Sequence, residues 1–504
     1  MKNRDRNRIM GLALTLVMAI AGGCNSWLDI YPENQQTSDN FWKSKEEVQE
    51  VLMGSYTQLR SKCYEKILQW GEIRGDVIKL GEGKTTNEEK IKSLEIMDDN
   101  DICKWDVFYT VIARVNSVIK YSPKVLDEDI TFSQKQSDAF VAEAVWLRSL
   151  CYFYLVRTFG EVPLVLNPYV DDSEAYEIPK SDEETILNQI IADLTTYASK
   201  CKYAYDKDWE LRGRATRWAY YALLADVYLW KGDYQNALEV CDKILYPAEG
   251  ECQFELLPSD AWYELFYPGN SVESIFELQW ANQYSQTNNL YTWFFNGTEK
   301  NRYLVSAAGL ALFESEANAQ DVRGANASYL IESSYDSKIW KYAGTGRYGE
   351  NGYIRSSDQR DANLIIYRLS DIYLMKAEAL AMMERYQEMQ DVLNVFRANR
   401  GYPENSLTTL PSTKRDALLL VIGERSREFI AEGKRWFDIL RVAKRENYAY
   451  QEYVTEALLS GVDAKDYQIW KSRLSDVNSY YLPVHKNEVE HSNGVIVQNP
   501  YYVD

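Results

Sequence analysis

Apolar residues recur with helical spacing along most of the chain. Ser44 and Glu47 have the spacing of a capping box, which marks the start of a helix. The apolar residues behind it are Val48, Val51, Leu52, Tyr56 and Leu59. Residues 138–159 are apolar on nearly every side, which predicts a helix buried in the core. Gly160 and Pro163 predict its end.

Two segments have the spacing of a tetratricopeptide helix-turn-helix. The first shows it at Tyr221, Leu224, Ala225, Tyr228, Gly232, Asp233, Tyr234 and Ala237. The second repeats it more loosely at Tyr373, Ala377, Tyr386 and Leu393. Because the two units lie about 150 residues apart without a steady repeat, they predict helix pairs packed within one domain and not a solenoid.

Helical periodicity fades in the middle of the chain. Residues 252–362 are rich in Asn, Ser, Gly, Tyr and Trp, and residues 274–280 have the apolar character of a short strand. Residues 81–100 form a second irregular, charged segment. Long irregular segments in a compact domain often carry function, so we expect the binding residues there.

The N-terminus has the features of an export signal. Four bases precede an apolar run over residues 9–21, which is shorter than the about 20 residues that cross a bilayer. Small residues then lead to Cys24, an arrangement similar to the lipobox of bacterial lipoproteins. This pattern predicts a signal peptide over residues 1–23, a lipid on Cys24 and a tether over residues 24–40. An ordinary signal peptide beside an accidental cysteine is the alternative.

Composition narrows the function classes. The formal net charge of −19 argues against binding to nucleic acid. The chain has only two histidines, His485 and His491, which we expect in solvent-exposed turns and not in a catalytic triad or a zinc site. We predict no metal and no cofactor. No second apolar stretch is expected to span a bilayer.

Cysteines give no redox or zinc signature. The six beyond Cys24 form no CxxC pair and are Cys63, Cys103, Cys151, Cys201, Cys241 and Cys252. Cys151 lies in the apolar helix and is predicted to be an inert core thiol.

Three glutamates offer the most plausible acid chemistry. Glu424, Glu428 and Glu432 are spaced to share one face of a helix, and paired carboxylates carry out glycoside hydrolysis. Bases lie within the same turns, at Arg425, Arg427, Lys434 and Arg435. Since adjacent bases lower carboxyl pKa values, we interpret the cluster as structural ion pairs.

Aromatic residues between 280 and 303 are the best candidates for a binding surface. They are Trp280, Tyr284, Tyr291, Trp293, Phe294, Phe295 and Tyr303, interleaved with Asn282, Asn288, Asn289 and Asn296. Sugars stack their apolar C–H faces on such rings and pair their hydroxyls with amides. We expect Trp293 and Tyr291 to face solvent and Trp280, which ends an apolar run, to belong to the core. The alternative is that these rings close the segment onto the core.

Four stretches, taken together, resemble one family. They are "WLDIYP" after Cys24, "AEAVWLRSLCYFYLVRTFGEVPLV", "RLSDIYLMKAEALA", and "ERSREFIAEGKRWFDILR" with the closing "YYLPVHKNEVEHSNGVIVQNPYY". In this order and at these distances they are similar to the SusD/RagB nutrient-binding lipoproteins of bacteria with an outer membrane. The resemblance covers the chain from Cys24 to its end.

The resemblance implies an all-α, mainly helical fold. We expect a single domain over residues 41–504, built on four tetratricopeptide-like helix pairs with an irregular, loop-rich ligand-binding face and a few short strands. Its N-terminal SusD-like part would cover about residues 24–230, and its C-terminal SusD/RagB part about residues 270–504.

The resemblance also implies a function. Family members are lipid-anchored at the surface of the outer membrane, bind oligosaccharides or sometimes peptides, and deliver them to a TonB-dependent barrel of the SusC type. They are not enzymes. A stretch similar to residues 74–76 borders the ligand-facing loops in the family, so Arg74 and Asp76 are either ligand contacts or a structural salt bridge.

Two other functions stay open from the residues alone. A secreted helical glycosidase would need two carboxylates about 5 to 10 Å apart in an open cleft. A tetratricopeptide scaffold would bind only protein, along a groove poor in aromatic residues.

Overall fold

Helices account for 56% of the protein and strands for 7%, which confirms the mainly helical fold. The computed structural model describes residues 41–168, 177–248, 251, 254–295, 300–314, 321–331 and 337–503. The predicted leader, Cys24 and the tether lie outside these residues, as do Cys252 and Asn296. The lipid anchor therefore stays a prediction.

The helices of the first half of the chain are α1 Lys45–Gln58, α2 Tyr64–Glu72, α3 Thr86–Lys92, α4 Asp106–Val125, α5 Gln134–Phe159, α6 Glu183–Tyr197, α7 Asp208–Gly213, α8 Arg217–Lys231 and α9 Tyr234–Leu245. A π-helical turn, Leu59–Cys63, joins α1 to α2.

The second half contains α10 Leu290–Phe294, α11 Ala307–Glu314, α12 Leu369–Met382, α13 Tyr386–Ala398, α14 Lys414–Glu428, α15 Arg435–Ala443, α16 Arg445–Tyr448, α17 Glu452–Leu459, α18 Tyr467–Leu474 and α19 Lys486–Glu490. The strands are β1 Ile78–Leu80, β2 Val162–Pro163, β3 Lys180–Ser181, β4 Ser274–Leu278, β5 Tyr303–Val305, β6 Tyr329–Leu330, β7 Lys338–Ile339 and β8 Leu364–Arg368.

Local sequence signals set the helix ends as predicted. The Ser44 side chain accepts a hydrogen bond from the Glu47 amide at 3.3 Å, and the Glu47 carboxylate accepts one from the Ser44 amide at 3.0 Å. This reciprocal capping box satisfies two N–H groups at the start of α1. Gly160 ends α5 with a φ of +78°, a conformation that glycine adopts without strain.

Helix α5 corrects the expectation that no second segment could span a bilayer. At 26 residues it is long and apolar enough to do so by length and composition. Almost all of it is buried inside the protein, however, against α4, α6 and other helices. Its all-round apolar surface is therefore explained as the centre of the core.

Helices that are adjacent in sequence pack as pairs. Four such pairs are α4 with α5, α8 with α9, α12 with α13, and α14 with α15. The first predicted tetratricopeptide unit is the pair α8–α9, whose turn contains Gly232 in the left-handed region. The second is α12–α13, and α9 packs directly on α12. Helix pairs distant in sequence thus share one core, as expected.

Short strands connect the irregular segments. β1, β5, β7 and β6 form an antiparallel sheet in that order, with Ile78 opposite Val305. The predicted strand after residue 273 is β4, which pairs antiparallel with β8 through two irregularities in register. Because β8 continues directly into α12, the β4–β8 pair ties the middle segment to the helical core.

Helix α2 meets the segment 429–434 at a close approach of two glycines. A Cβ atom on Gly71 would lie 1.9 Å from the carbonyl oxygen of Gly433. The neighbouring Glu72 accepts hydrogen bonds from the Gly433 amide at 2.8 Å and the Lys434 amide at 3.2 Å. Burial raises the pKa of Glu72 to about 8. Only glycine at position 71 allows this contact.

The described cysteines are free thiols in the core. They are Cys63, Cys103, Cys151, Cys201 and Cys241, and all five are buried. Burial raises the pKa of each thiol, which keeps it in the unreactive protonated form. The prediction of an inert thiol at Cys151 is confirmed.

We expect Gly71→Ala to lower the free energy of unfolding by about 1–3 kcal/mol, because the added methyl group would overlap the Gly433 carbonyl. Gly423→Ala is the matched control, since a Cβ atom there meets nothing within 4 Å inside helix α14. That change should be neutral or should stabilise by up to about 1 kcal/mol. Urea denaturation measures both. Equal effects of the two substitutions would contradict the close approach.

Candidate ligand-binding face

The three glutamates that suggested acid chemistry lie in the protein core. Glu424, Glu428 and Glu432 are buried. Arg323 lies 2.7 Å from Glu424 and 3.1 Å from Glu428, and Arg368 lies 2.9 Å from Glu432. Burial alone would raise the carboxyl pKa values, but the surrounding cations hold all three below their usual range. The structural interpretation is confirmed, because such groups cannot protonate a leaving group.

Most aromatic residues between 280 and 303 are also interior. Trp280, Tyr291, Trp293 and Tyr303 are buried. The expectation of solvent-facing rings at Trp293 and Tyr291 is therefore wrong, whereas Trp280 lies in the core as expected. The ring of Tyr64 on α2 covers the two tryptophans, since its centroid lies 5.2 Å from that of Trp280 and 6.2 Å from that of Trp293. Tyr291 packs on Phe295, with ring centroids 6.1 Å apart.

Tyr284 is the exception. Its side chain is 71% exposed, at the end of a 3₁₀ turn over Asn282–Tyr284. Ser285 follows in the left-handed region with a φ of +57°, which turns the chain back toward the core. The turn thus presents one ring to solvent while the apolar residues on both sides of it are buried.

Hydrogen bonds fix the segment that carries Tyr284. The Arg60 guanidinium donates to the Gln286 side chain at 2.6 Å and to the Gln279 carbonyl at 3.2 Å. The Asn289 side chain donates to Glu65 at 2.9 Å, and the Asn288 side chain donates to the Ala362 carbonyl at 2.7 Å. Two of the predicted amide partners for a ligand are therefore used to hold the loop.

A second loop, residues 353–361, lies against the first. Asp361 accepts a hydrogen bond from the Asn282 amide at 2.9 Å, and the Arg360 guanidinium lies 4.2 Å from the centroid of the Tyr291 ring. Tyr353 is exposed at the far end of this loop. We call residues 279–289 and 353–361 together the Tyr284 face.

The sequence places the second loop within the irregular segment 252–362 but singles out none of its residues. Its signal was present in the Gly- and Tyr-rich composition of residues 342–353 and in the three charged residues within 358–361. Neither feature specifies a partner, because the pairing of Asp361 with Asn282 spans 79 positions. The chemistry available on the Tyr284 face is ring stacking beside amide, guanidinium and carboxylate groups.

Arg74 is buried below the surface and serves the fold. Its guanidinium donates to the Ser479 carbonyl at 2.6 Å and to the Tyr480 carbonyl, and it lies 4.0 Å from the centroid of the Trp436 ring. These contacts tie the end of α2 to the C-terminal segment. They leave no surface for a ligand at this side chain.

Asp76 forms an ion pair with Arg435. Its two carboxylate oxygens lie 2.6 and 2.9 Å from the guanidinium, in a bidentate arrangement. Burial opposes ionisation, but Arg435 holds the pKa of Asp76 below its usual value. Of the two interpretations for this residue, the structure favours the salt bridge.

His485 departs from the expected exposed turn. It does lie at a turn, where its Nδ1 accepts a hydrogen bond from the Asn487 amide at 3.2 Å and caps α19, but it is buried. Burial lowers its pKa. His491 is exposed as expected. Within the described part of the chain, no group of three His, Cys, Asp or Glu side chains could hold a metal ion.

Two family models match the sequence across nearly its whole length. The model of the SusD family matches residues 221–502, more than half of the chain. A second model, described as starch-binding associating with outer membrane, matches residues 26–229. The two matches overlap over residues 221–229, within helix α8.

Relatives with similar sequences span most of this chain. SusD-like protein P38 of Formosa agariphila is 24% identical over 481 residues, which cover 87% of this chain and 92% of the relative. A SusD-like protein of Bacteroides ovatus is 24% identical over 510 residues, which cover 91% and 88%.

Solved structures share the fold. A SusD superfamily protein from Bacteroides vulgatus superposes with a TM-score of 0.74 at 19% identity and covers 92% of this chain and 100% of its own. A laminarin-binding SusD-like protein superposes with a TM-score of 0.68 at 22% identity and covers 91% of this chain and 99% of its own.

We expect Trp293→Ala to lower the free energy of unfolding by about 3–5 kcal/mol, because the ring is 4% exposed and packs against Tyr64 and Tyr303. Tyr284→Ala should change it by less than about 0.5 kcal/mol, since that ring lies in solvent. Chemical denaturation of the two variants beside the wild type measures both values. A stable Trp293→Ala protein would show that the ring is not part of the core.

Proposed function

This chain belongs to the SusD family, and we propose that it is a surface lipoprotein that binds an oligosaccharide on the Tyr284 face and delivers it to a TonB-dependent barrel of the SusC type. The observation that carries the binding proposal is the exposed Tyr284 ring on a loop that hydrogen bonds hold rigid. A rigid platform loses little conformational entropy when a sugar stacks on it.

The size of this interaction suits a carrier. A ring covered by a sugar buries about 60 Å² of apolar surface, which contributes about 1.5 kcal/mol at 25 cal/mol per Å². Two or three such contacts with hydrogen bonds give millimolar to micromolar affinity. A protein that must release its cargo to a transporter benefits from binding in that range.

Binding without hydrolysis is the second part of the proposal. The strongest acid-chemistry candidates, Glu424, Glu428 and Glu432, are buried and paired with cations. A glycosidase needs a carboxylic acid with a raised pKa at an open cleft, and these groups have lowered pKa values in the core. A glycan is favoured over a peptide because one structural relative is a laminarin-binding protein.

The need for a delivery partner is inferred from the membrane that the cargo must cross. Among the described helices, only α5 is both long and apolar enough to span a bilayer, and it forms the centre of the core. A membrane-spanning partner is therefore required for import. A lipid on Cys24, followed by the tether, would keep the binding domain beside that partner at the membrane surface.

We expect Tyr284→Ala to weaken oligosaccharide binding about tenfold, which corresponds to the loss of one stacking platform. Tyr246→Ala is the matched control, because Tyr246 is 70% exposed but follows helix α9 and belongs to neither loop of the Tyr284 face. Isothermal titration calorimetry with laminarin and starch oligosaccharides measures both affinities. Chromatography of the same mixtures should recover the sugars uncleaved.

Two results would contradict the binding proposal. Equal affinities of Tyr284→Ala, Tyr246→Ala and the wild type would place the ligand elsewhere. Appearance of shorter sugars over time would show that the protein is a glycosidase, and binding of peptides in place of both glycans would change the ligand class.

For the anchor and the partner, we expect wild-type protein to fractionate with membranes and to co-purify with a larger barrel after gentle detergent extraction. Cys24→Ala removes the acylated thiol, so this variant should leave the membrane fraction. Immunoblotting of the fractions and mass spectrometry of the purified complex measure the two results. A Cys24→Ala protein that stays in the membrane, or a wild-type protein recovered alone in several detergents, would argue against the arrangement.

A further inference from the structure

A closed surface loop lies beside the Tyr284 face. Residues 202–217 leave the core and return to it where the Arg217 amide donates to the Lys202 carbonyl at 2.8 Å. The Cys201 thiol donates to the Ala215 carbonyl at 3.2 Å next to this closure. The loop contains the short helix α7. Compact loops with joined ends frequently carry function.

Two aromatic rings of this loop are presented to solvent. Trp209 is 52% exposed, and Tyr203 is 39% exposed. Among the residues that the structure describes, no other tryptophan has comparable exposure. An exposed tryptophan offers a large flat apolar surface, the kind that stacks on a sugar ring.

A cation lies near each of the two rings. The Arg217 guanidinium lies 3.6 Å from the centroid of the Tyr203 ring, and it is itself anchored by the carbonyls of Ala198 at 3.1 Å and Ser199 at 2.8 Å. The Lys207 ammonium lies 5.7 Å from the centroid of the Trp209 ring. The anchored Arg217 guanidinium therefore orients the Tyr203 ring before any ligand arrives, and Lys207 adds a weaker attraction at Trp209.

The loop is joined to the Tyr284 face through Gln279. Gly213, the last residue of α7, packs so closely on Gln279 that a Cβ atom would lie 2.9 Å from the Gln279 side-chain nitrogen. The Gln279 carbonyl accepts from Arg60, which also binds Gln286. Trp209 precedes Gly213 by four residues, about 6 Å along the helix axis. Trp209 and Tyr284 therefore lie on two segments that meet at Gln279.

We propose that Trp209, with Tyr203 beside it, forms a second aromatic subsite that binds a further part of the polysaccharide chain held at Tyr284. The inference rests on the proposed function and adds the class of ligand: a polysaccharide long enough to reach both rings. A chain held at Tyr284 meets Trp209 at a high effective concentration, so long chains bind more tightly than short fragments.

Affinity electrophoresis through gels that contain laminarin or soluble starch tests this proposal. We expect Trp209→Ala to weaken retardation by the polysaccharide about five- to tenfold, and Trp209→Tyr to retain most of it because a flat ring remains. Tyr246→Ala is the exposed aromatic control and should migrate as the wild type does. Calorimetry with the trisaccharide of the same glycan should give equal affinities for Trp209→Ala and the wild type, since a trisaccharide occupies only the Tyr284 subsite.

Tryptophan fluorescence reports on the same residue directly. Acrylamide quenches exposed tryptophans, so the difference in quenching between the wild type and Trp209→Tyr belongs to position 209. We expect the polysaccharide to reduce this difference severalfold and the trisaccharide to leave it unchanged.

The outcomes separate the two proposals. A Tyr284→Ala protein with weakened retardation beside a Trp209→Ala protein that migrates like the wild type would overturn the second subsite and leave the proposed function in place. Unchanged quenching at position 209 with bound polysaccharide would do the same. A wild-type protein that neither gel retards would overturn both. Thermal denaturation should give matching midpoints for all variants, because the substituted side chains are exposed.

Discussion

The fold depends on a buried network of ions where β4, β8 and three helices meet. Arg368, at the end of β8, lies 3.1 Å from Glu273 and 2.9 Å from Glu432, and it also binds Glu428. Arg400, just after α13, lies 2.8 Å from Glu273 and 2.9 Å from Glu428. Taking such charges out of water costs several kcal/mol each, so the network holds only because each guanidinium binds more than one carboxylate. Every element that supplies a member is thereby fixed relative to the others.

This constraint explains how a mainly helical protein positions an irregular binding surface. The network fixes β8, and β8 pairs with β4, whose continuation leads into the loop that carries Tyr284. From the other side, Tyr64 on α2 packs on the rings of the same segment. The loop that carries Tyr284 is therefore fixed on one side by the buried ion network and on the other by the Tyr64 ring. Together these two contacts determine the geometry of the Tyr284 face.

Sequence patterns predicted the helices and caps that depend on residues close along the chain. They did not predict the burial of side chains that pack against residues far away in the sequence. The capping box at Ser44, the buried helix α5 and the helix pair around Gly232 follow from local spacing, and all three are present. The exposure of Trp293 could not be predicted in this way, because the ring that covers it belongs to Tyr64, more than two hundred positions earlier. The asparagines near Trp293 suggested that the segment faces solvent. The side chains of Asn288 and Asn289 instead form hydrogen bonds that fix the loop.

The buried thiols bear on how the protein matures. The predicted export would take the chain into an oxidising compartment, where exposed cysteines are paired into disulfides. The five described cysteines are free thiols inside the fold. Burial raises their pKa values, so they carry little of the thiolate that reacts with oxidants. At these five positions the described core therefore offers no reactive thiol to its surroundings. The same thiols are exposed in the unfolded chain, so packing of the core around α5 is the step that withdraws Cys151 from oxidants.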